Sequence, residues 1–490
     1  MRRAYDADQV RRAEAPLLAS LPQGTLMQRA SVALARRCAA LLGRVYGARV
    51  VVLAGAGNNG GDAMFAAAAL ARRGARVDVL RVSERIHEPA LAAAAAVGGY
   101  VHAADSEQVG PLLSAADLVV DGMLGIGGSG GLREPAAQVA RILAGTGSLV
   151  VAVDVPSGVD ASTGEVPGVA VRADVTVTFG ALKPGLVVAP GASYAGRVEV
   201  VDIGLSLPAP EVTLLDADDV DGLLPELPED TDKYRRGVVG VVAGSDNYTG
   251  AAVLAVGGAI ATGAGMVRFA GVAHPAEIVR QRWPEAVVTV VEPGDGASLI
   301  DAGRVQAWVV GSGLGTDESG AEFVRACLDT DLPVLLDADA ITIIGQHREW
   351  LTARSAPTLL TPHAGEFARL MAVERADVEA HRLTHVRRAS ADLGATILLK
   401  GSTTVIAEPA GHVRVNSAGT PYLGTAGSGD VLSGVCGALL AAGLSPLDAG
   451  SAGAFLHGLS GLIALGGSVA PISALDLVEH VPEALRTVRG

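Results

Sequence analysis

The sequence contains few cysteines and few aromatic residues, and each scarcity excludes a class of protein. Its cysteines are Cys38, Cys327 and Cys436, which show neither Cys-x-x-Cys spacing nor a pairing pattern. This argues against a disulfide framework and predicts buried thiols in a reducing compartment. Aromatic residues make up only 3% of a chain that is 49% hydrophobic. We therefore expect a core of alanine, valine, leucine and glycine, which suits helices packed closely on parallel strands.

An excess of positive charge is also missing. The chain carries 38 basic and 52 acidic residues, for a net charge of -14. An acidic surface would not attract nucleic acid or an anionic membrane, so neither is expected as a partner. The N-terminus is charged, and Glu14 and Pro16 interrupt it before an apolar segment of signal-peptide length can form. No apolar run is expected to span a membrane. We expect a globular cytoplasmic enzyme.

Lysine is rare, because arginine supplies all but three of the basic side chains. The exceptions are Lys183, Lys233 and Lys400. In a chain with this bias, a lysine is a candidate for a position that needs a compact ammonium and cannot fit a guanidinium. Chance retention is the alternative for any one of them. The sequence also has no Walker A motif, so phosphate recognition would need another element.

The chain of 490 residues is too long for one hydrophobic core, so two or three domains are expected. Short β-branched runs alternate with alanine-rich helical stretches, which indicates parallel sheets covered on both faces. A proline-bearing acidic stretch at 208–236 interrupts the alternation. We therefore predict domains at 1–212 and 213–490. Predicted strands cover 49–54, 76–80, 118–124, 149–155, 175–179, 198–203, 237–244, 287–291, 307–310, 334–337, 358–360, 395–399, 404–407 and 413–415, and helices of the second half begin near 249, 317, 364, 376, 429, 446 and 473.

Three predicted strand ends of the first half carry polar side chains. The strand at 49–54 leads into Gly55-Ala56-Gly57-Asn58-Asn59-Gly60-Gly61-Asp62, which contains the G-x-G-x-x-G pattern of dinucleotide-binding folds. Asp78 follows at about the usual distance, but it lies inside its strand. Asp121, Asp154 and Ser157 follow two later strands, and carboxyl ends of parallel strands share one edge of a sheet. Oxygen donors at that edge would suit a hard cation, and a second carboxylate would remain for proton transfer. The alternative is that the aspartates only cap the loops that follow the strands.

The second half contains a glycine-rich turn that ends in a carboxylate, Gly427-Ser428-Gly429-Asp430, before an apolar helical stretch. Converging backbone N–H groups and the helix N-terminus stabilise negative charge there, and Asp430 is placed to take a proton from an attacking hydroxyl. The alternative is a glycine cap before a core helix. Small or polar segments also follow other predicted strands, at 311–315, 361–367 and 398–404. Together with the turn that ends in Asp430, they would line one crevice. His381 and His385 are four residues apart, but no third ligand is visible beside them, so a metal site is not expected there.

These motifs together resemble a known pair of domains. The segments 57–62 and 154–160, with Asp121 and its glycine loop, are similar to the NAD(P)H-hydrate epimerase domain. The segments 244–251, 361–366 and 427–430 are similar to the NAD(P)H-hydrate dehydratase domain of the ribokinase-like superfamily. The resemblance covers nearly the whole chain. It implies a Rossmann-like three-layer α/β domain followed by a ribokinase-like α/β domain.

The resemblance implies a metabolite-repair enzyme that acts on NADH and NADPH hydrated at C6 of the nicotinamide ring. The first domain would interconvert the R and S hydrates, with potassium at Asn59, Asp121 and Ser157. The second would dehydrate the S form and convert ADP to AMP and phosphate, with Mg²⁺ as the metal expected for it. The implied catalytic residues are Asp154 and Asp430. The implied epimerase substrate residues are Asn58, Asn59, Gly60, Gly61, Asp62, Gly125, Ile126, Gly127, Gly128, Ser129, Gly130, Gly131 and Asp154. The implied dehydratase substrate residues are Ala252, Gly313, His363 and Asp430, and the implied nucleotide residues are Lys400, Gly401, Ser402, Thr403, Thr404 and Gly429.

Two positions depart from the family pattern: Ala63 stands where glycine usually follows, and Thr342 where asparagine is common. Neither removes an implied catalytic group. The alternative function is a small-molecule kinase of the ribokinase superfamily fused to a non-catalytic nucleotide-binding module. We also expect a homo-oligomer.

Overall fold

The computed structural model describes residues 1–490 except 129, 227, 229 and 468. The chain forms two compact units, Arg3–Val212 and Thr213–Gly490, the second of which also includes Met1–Arg2. The three cysteines are buried and reduced. None of the helices in the described ranges is long and apolar enough to span a bilayer.

The elements are numbered in chain order. The strands are β1 Arg2–Ala4, β2 Arg49–Ala54, β3 Arg76–Arg81, β4 Tyr100–Ala103, β5 Leu118–Gly122, β6 Leu149–Val153, β7 Val175–Phe179, β8 Arg197–Val201, β9 Val212–Leu214, β10 Val238–Val242, β11 Met266–Gly271, β12 Val287–Val290, β13 Ala307–Val310, β14 Val334–Leu336, β15 Thr358–Leu360, β16 Thr396–Leu399, β17 Thr404–Ala407 and β18 Val413–Asn416. The helices are α1 Ala7–Ser20, α2 Thr25–Leu42, α3 Asn58–Ala71, α4 Glu88–Ala95, α5 Val109–Ser114, α6 Ala136–Ala144, α7 Ala192–Ala195, α8 Ala217–Leu223, α9 Thr249–Ala261, α10 Ala273–Arg282, α11 Gly296–Ile300, α12 Glu318–Leu328, α13 Asp339–Gln346, α14 Glu349–Thr352, α15 Ala364–Met371, α16 Arg375–Ala380, α17 Arg382–Leu393, α18 Ser428–Ala441, α19 Pro446–Leu465 and α20 Ala474–Arg489.

The unit Arg3–Val212 is built on a sheet of seven parallel strands in the order β4-β3-β2-β5-β6-β7-β8. The chain moves outward from β2 to β4 and then returns to add β5 on the other side of β2. In a doubly wound sheet, this reversal opens a crevice at the carboxyl ends of the two central strands. The fold therefore places a ligand site at the ends of β2 and β5.

Alternating residues of β2 explain the three layers of this unit. Val52 packs in one buried cluster with Met64 of α3, whereas Leu53 packs in another cluster with Leu113 of α5. Successive side chains of a strand point to opposite faces of the sheet, so apolar residues at consecutive positions demand helices on both sides. The predicted Rossmann-like three-layer fold is confirmed.

The second unit is built on a sheet in which the strands lie in the order β9-β18-β17-β16-β15-β14-β13-β10-β11-β12. Strands β16, β15, β14, β13, β10, β11 and β12 are parallel, whereas β17 and β18 form an antiparallel extension. Helices α9, α18, α19 and α20 share one large apolar cluster with the sheet. The carboxyl ends of β13 to β16 lie side by side and carry the second crevice.

The structure ends several predicted strands early and adds others. The strands predicted at 118–124 and 149–155 end at Gly122 and Val153, which frees the residues that follow for the loops of the first crevice. Strand β11 was not predicted, because its first residues continue the apolar run of α9. Strand β4 was also missed, because it is an exposed edge strand without apolar alternation.

Candidate active sites

Asn59 ties together two loops of the first crevice. It lies in the first turn of α3, and its Nδ2 donates to the backbone oxygens of Leu124 and Val153, at 2.9 and 2.7 Å. A Cβ at Gly125 would lie 2.8 Å from Asn59 Oδ1, so only glycine lets the loop after β5 approach the amide this closely. The amide oxygen is thereby held at the carboxyl ends of the central strands.

Asp121 and Ser157 form a fully buried pair beside Asn59. Asp121 Oδ1 accepts from Ser157 Oγ at 2.7 Å, and Oδ2 accepts from the Ser157 backbone N–H at 2.8 Å. Burial raises the pKa of Asp121 to about 6, although the Ser157 hydrogen bonds oppose the increase. Ser157 Oγ also accepts from Leu124 N at 2.8 Å. The structure therefore brings the three residues predicted to bind a metal together, because Asn59 and Ser157 contact the Leu124 backbone and Asp121 contacts Ser157.

Asp154 follows β6 in a strained conformation. Its φ of 68° lies in the left-handed region, which non-glycine residues rarely adopt and which is concentrated at functional sites. Oδ1 is 2.5 Å from Lys183 Nζ and accepts from Thr178 Oγ1 at 3.2 Å, while Oδ2 accepts from Ile126 N at 3.3 Å. The strain and these contacts turn the carboxylate toward the glycine loop that the sequence predicted to bind substrate.

Lys183 belongs to this site, although the sequence did not place it there. It is fully buried, and its Nζ donates to Asp154 Oδ1, to Thr178 Oγ1 at 2.8 Å and to the Phe179 backbone oxygen at 2.8 Å. The scarcity of lysine singled it out, but nothing in the sequence linked the loop after β7 to Asp154. A buried ammonium and carboxylate in contact form an ion pair that needs both partners.

Asp62 and Glu14 complete a carboxyl cluster around Asp154. Asp62 is buried, and its Oδ1 has no hydrogen-bond partner among the described residues. Burial, followed by the negative charges of Asp154 and Glu14, holds the pKa of Asp62 well above its usual value. Burial and Asp154 also raise the pKa of Glu14. The cluster can therefore hold a proton next to the Lys183 ion pair.

The remaining described residues that the sequence analysis singled out in the first half lie on the surface or in the core. Asn58 is exposed at the start of α3, and the described part of the loop at 125–131 is mostly accessible, whereas Ser129 lies outside the described residues. Asp78 is buried and hydrogen-bonded to His102 Nε2 at 2.8 Å, so its carboxylate is engaged within the sheet. Ala63 is also buried, and a Cβ at Gly122 would lie 2.6 Å from its methyl group. The departure at Ala63 therefore affects core packing beneath β5.

Lys400 is the centre of the second crevice. Its Nζ lies 2.8 Å from Asp337 Oδ1 and 3.8 Å from Glu366 Oε2. A Cβ at Gly429 would lie 3.2 Å from the same Nζ. Burial alone would lower the pKa of Lys400, but attraction to Asp337 and Glu366 outweighs it and the pKa is raised. The raised pKa favours the charged ammonium, which lies against the N-terminal turn of α18, where the helix itself favours anions.

Asp430 lies in the first turn of α18, close to that ammonium. Burial and the negative charge of Asp337 raise its pKa to about 6. Asp337 is fixed by Lys400 and by Ser433 Oγ, which donates to its Oδ2 at 2.7 Å. A carboxyl that titrates near neutrality beside an anion-binding turn has the properties of a general base.

His363 caps α15 at the same edge of the sheet. Its Nδ1 accepts from the backbone N–H groups of Gly365 and Glu366, at 2.9 and 3.2 Å, and Glu366 Oε2 accepts from His363 N at 2.7 Å. Burial and the charge of Lys400 lower the pKa of His363, which favours the neutral ring. The side chain is still 54% exposed, so the ring is both a helix cap and part of the crevice surface.

Arg382 holds the turn predicted to bind nucleotide, and the sequence did not identify it. One guanidinium nitrogen donates to the backbone oxygens of Leu399, Lys400 and Thr403, at 3.1, 2.9 and 3.3 Å. A Cβ at Gly401 would lie 2.4 Å from the same nitrogen, so a residue without a side chain fits best at this position. Burial lowers the pKa of Arg382 to about 10. The turn presents exposed Gly401 and Ser402, while Thr403 is buried and Thr404 begins β17.

His457 and Ala252 support the crevice from below. His457 Nε2 lies 3.0 Å from the Ser428 backbone oxygen and 3.1 Å from its Oγ, and burial lowers the pKa of His457 to about 4. The neutral ring thus fixes the residue at which α18 begins. Ala252 is fully buried in α9 beneath Gly244, whereas Gly313 has a φ of 62° in the loop after β13, beside Tyr248.

Comparisons with known proteins agree with these two crevices. Residues 23–185 match the family described as YjeF-related protein N-terminus, and residues 239–483 match the NAD(P)H-hydrate dehydratase family. The chain is 51% identical over 449 residues to the bifunctional NAD(P)H-hydrate repair enzyme Nnr of Mycobacterium tuberculosis (strain CDC 1551 / Oshkosh), covering 91% of this chain and 90% of the relative. It is 46% identical to the protein of the same name from Mycobacterium leprae, covering 99% of both chains.

A solved structure is similar to the second unit. The ADP/ATP-dependent NAD(P)H-hydrate dehydratase from Bacillus subtilis, co-crystallised with ATP/Mg²⁺, is 29% identical and has a TM-score of 0.52, covering 57% of this chain and all of that chain. The ribokinase-like fold predicted for this half is confirmed. The similarity to relatives that carry both domains extends along almost the whole sequence, as the motifs indicated. This chain belongs to the family of bifunctional NAD(P)H-hydrate repair enzymes.

Proposed function

We propose that residues 1–212 epimerise hydrated NADH and NADPH and that residues 213–490 dehydrate the S form with ADP as co-substrate. The observation that carries the proposal is the presence of Asp430 in the first turn of α18, the turn against which the Lys400 ammonium also lies. A carboxyl with a pKa of about 6 lies there beside an ammonium that remains charged. This combination suits transfer of a phosphoryl group to a hydroxyl.

In the dehydratase site, Asp430 takes the proton of the C6 hydroxyl as its oxygen attacks the terminal phosphorus of ADP. The bond between that phosphorus and the bridging oxygen breaks, and AMP leaves. Loss of the C6 phosphate, with a proton from C5, then forms the ring double bond of NADH or NADPH. Lys400 and the N-terminal turn of α18 offset the negative charge that develops on the phosphoryl group.

Nucleotide and hydrate are assigned to opposite parts of this crevice. The nucleotide lies along the turn from Lys400 to Thr404 and reaches Gly429, with Mg²⁺ accompanying its phosphates. Arg382 supports this assignment, because it fixes three backbone oxygens of the turn. The hydrate lies near Gly313, His363 and Asp430, while the buried Ala252 shapes the wall through its packing.

In the epimerase site, inversion at C6 requires the carbon–oxygen bond to break and to form again on the other face of the ring. A group must therefore give a proton to the departing hydroxyl and take one from the returning water. Asp154 is assigned this role, and Lys183 positions it through the 2.5 Å contact. Asp62, whose pKa is raised, keeps a proton with which it can donate a hydrogen bond to the hydrate. The hydrate extends along 58–62 and the loop at 125–131.

Asn59, Asp121 and Ser157 would hold potassium in this unit. The donor set fits, because it supplies an amide oxygen, a carboxylate and a hydroxyl near one backbone segment. Burial also raises the pKa of Asp121, and only neutral groups hydrogen-bond to this carboxylate within the described ranges. A bound monovalent cation would offset the buried negative charge and order the loops after β5 and β6.

Compartment and assembly complete the proposal. The protein is assigned to the cytoplasm because its three thiols are buried and reduced. A homo-oligomer is proposed as its assembly state, which light scattering coupled to gel filtration would measure directly.

The direct test is incubation with hydrated NADH and ADP while the absorbance of the reduced ring is followed. A mixed pool of epimers should go to completion with the native chain. The Asp154→Ala chain should consume the S portion and then slow to the rate of spontaneous epimerisation. Consumption of both epimers at the native rate by this variant would refute the division of labour. A kinase would instead leave phosphate on its product, which mass spectrometry of the product detects.

A further inference from the structure

Asp377, His381 and His385 form a side-chain cluster at the junction of α16 and α17. His385 Nε2 is 2.7 Å from Asp377 Oδ2, and His381 Nδ1 is 2.9 Å from Asp377 Oδ1. One ligand atom from each of the three lies within 4.8 Å of the others. The carboxylate thus bridges two imidazoles.

The break between the two helices creates this cluster. In a straight helix, residues eight apart are separated by about 12 Å along the axis, so Asp377 and His385 could not share a partner easily. His381 has φ and ψ of −127° and 42°, ends α16 and precedes α17. The turn at His381 folds the two segments toward each other. The sequence showed no third ligand for the histidine pair, and the structure corrects this by supplying Asp377.

Two imidazole nitrogens and a carboxylate oxygen are a ligand set typical of zinc sites, with water in the fourth position. Zinc binds such atoms at about 2.0–2.2 Å, which requires them to lie about 3.4 Å apart around a tetrahedral ion. The two imidazole–carboxylate separations of 2.9 and 2.7 Å must lengthen to this value when the ion binds, and the other ligand-atom separation is already within 4.8 Å. Asp377 and His381 are 48% and 42% exposed, so the ion can reach the cluster from solvent, whereas His385 is 15% exposed and lies on the inner side of the cluster.

We propose that Asp377, His381 and His385 bind Zn²⁺ at a site distinct from both proposed active sites. Binding replaces the two imidazole–carboxylate contacts with metal bonds and releases any proton carried by the ligating nitrogens. It also pins the junction from which α17 begins. Arg382, the next residue, holds the turn of Leu399 to Thr403, so a fixed junction restrains that turn as well.

The test is calorimetric titration of the full chain with Zn²⁺ after removal of metals by a chelator. The variants are His381→Gln and His385→Gln, and His412→Gln is the matched control. His412 also contacts a carboxylate four residues away, Glu408, on an exposed surface, but no second histidine belongs to that pair within the described ranges. We expect each test variant to bind the high-affinity ion at least tenfold more weakly, and the control to match the native chain.

Hydrogen exchange locates the ion independently of activity. Zn²⁺ should slow exchange in peptides covering 375–389 and 399–404 of the native chain and of the control, and not in the His381→Gln, His385→Gln double variant. Circular dichroism verifies that this variant is folded. The same Zn²⁺ affinity and stoichiometry in the native chain and the folded double variant would overturn the site. Slowed exchange at 375–389 without any change at 399–404 would overturn the restraint on the turn.

Discussion

Replacement of Asp430 by asparagine separates the catalytic contribution of this carboxyl from its cost to folding. Asparagine has nearly the same shape but cannot accept the hydroxyl proton. Loss of a general base typically reduces a rate by about 10²–10⁴. We expect Asp430→Asn to lower dehydration by this factor and to leave epimerisation unchanged, because its side chain belongs only to the second unit.

The same substitution should stabilise the protein near neutral pH. The pKa of Asp430 is about 6 in the fold, against an ordinary value of 3.8. At about 1.4 kcal/mol for each pH unit, the charged form costs at most about 3 kcal/mol of folding stability. Since the pKa is raised in the folded state, this cost is complete above pH 6 and disappears as the pH falls toward 4. Asparagine does not titrate, so it carries no buried charge and does not lower the folding stability in this way.

Two measurements check this reasoning. Urea unfolding of the second unit, followed by circular dichroism at pH 8 and pH 5, should show a gain of about 1–3 kcal/mol at pH 8 and a smaller gain at pH 5. The control is Asp392→Asn, whose side chain is 53% exposed on α17 and should change neither stability nor activity appreciably. In the native chain, kcat/KM for dehydration should fall about tenfold per pH unit below pH 6, because the base must be ionised.

Three results would refute the assignment. Dehydration by Asp430→Asn within tenfold of the native rate would remove Asp430 as the base. An equal gain in stability at both pH values would show that the buried charge is not its cause. A native rate that stays constant from pH 8 to pH 5 would contradict a base that titrates near 6.

The remaining predictions concern Lys400, Lys183 and the turn that Arg382 holds. Lys400→Arg should weaken ADP binding, because the guanidinium cannot replace a compact ammonium in contact with Asp337; unchanged affinity by calorimetry would mean that charge alone suffices. Lys183→Met should abolish epimerisation without changing dehydration and should destabilise the first unit by about 3–5 kcal/mol, because Asp154 loses its buried partner; denaturant unfolding that matches the native chain would refute this. Gly401→Ala should weaken ADP binding by displacing the guanidinium that fixes the turn, and wild-type affinity would contradict the 2.4 Å approach.

The amino-acid sequence by itself determined the layered α/β architecture and the segments that follow its strands. Strand β2 was predicted with its observed bounds, because consecutive valines must bury both faces of a strand. The seven helix starts predicted for the second half all lie within one residue of observed starts, as those of α9 and α18 do. Carboxyl ends of parallel strands share one edge, so local motifs such as Asp121 and Asp154 were sufficient to predict a shared crevice.

Only the tertiary structure decided which distant side chains serve those motifs. Lys183 reaches Asp154 from the loop after β7, and Arg382 reaches the turn after β16 from the first position of α17. Neither contact has a local sequence pattern, because each depends on how elements far apart in the chain pack. The pKa of Asp430 likewise depends on burial and on the approach of Asp337, which only the folded sheet brings about. Local propensity determines where strands and helices form. Long-range packing determines which partners each side chain contacts and, for a titratable side chain, in which direction its pKa is shifted.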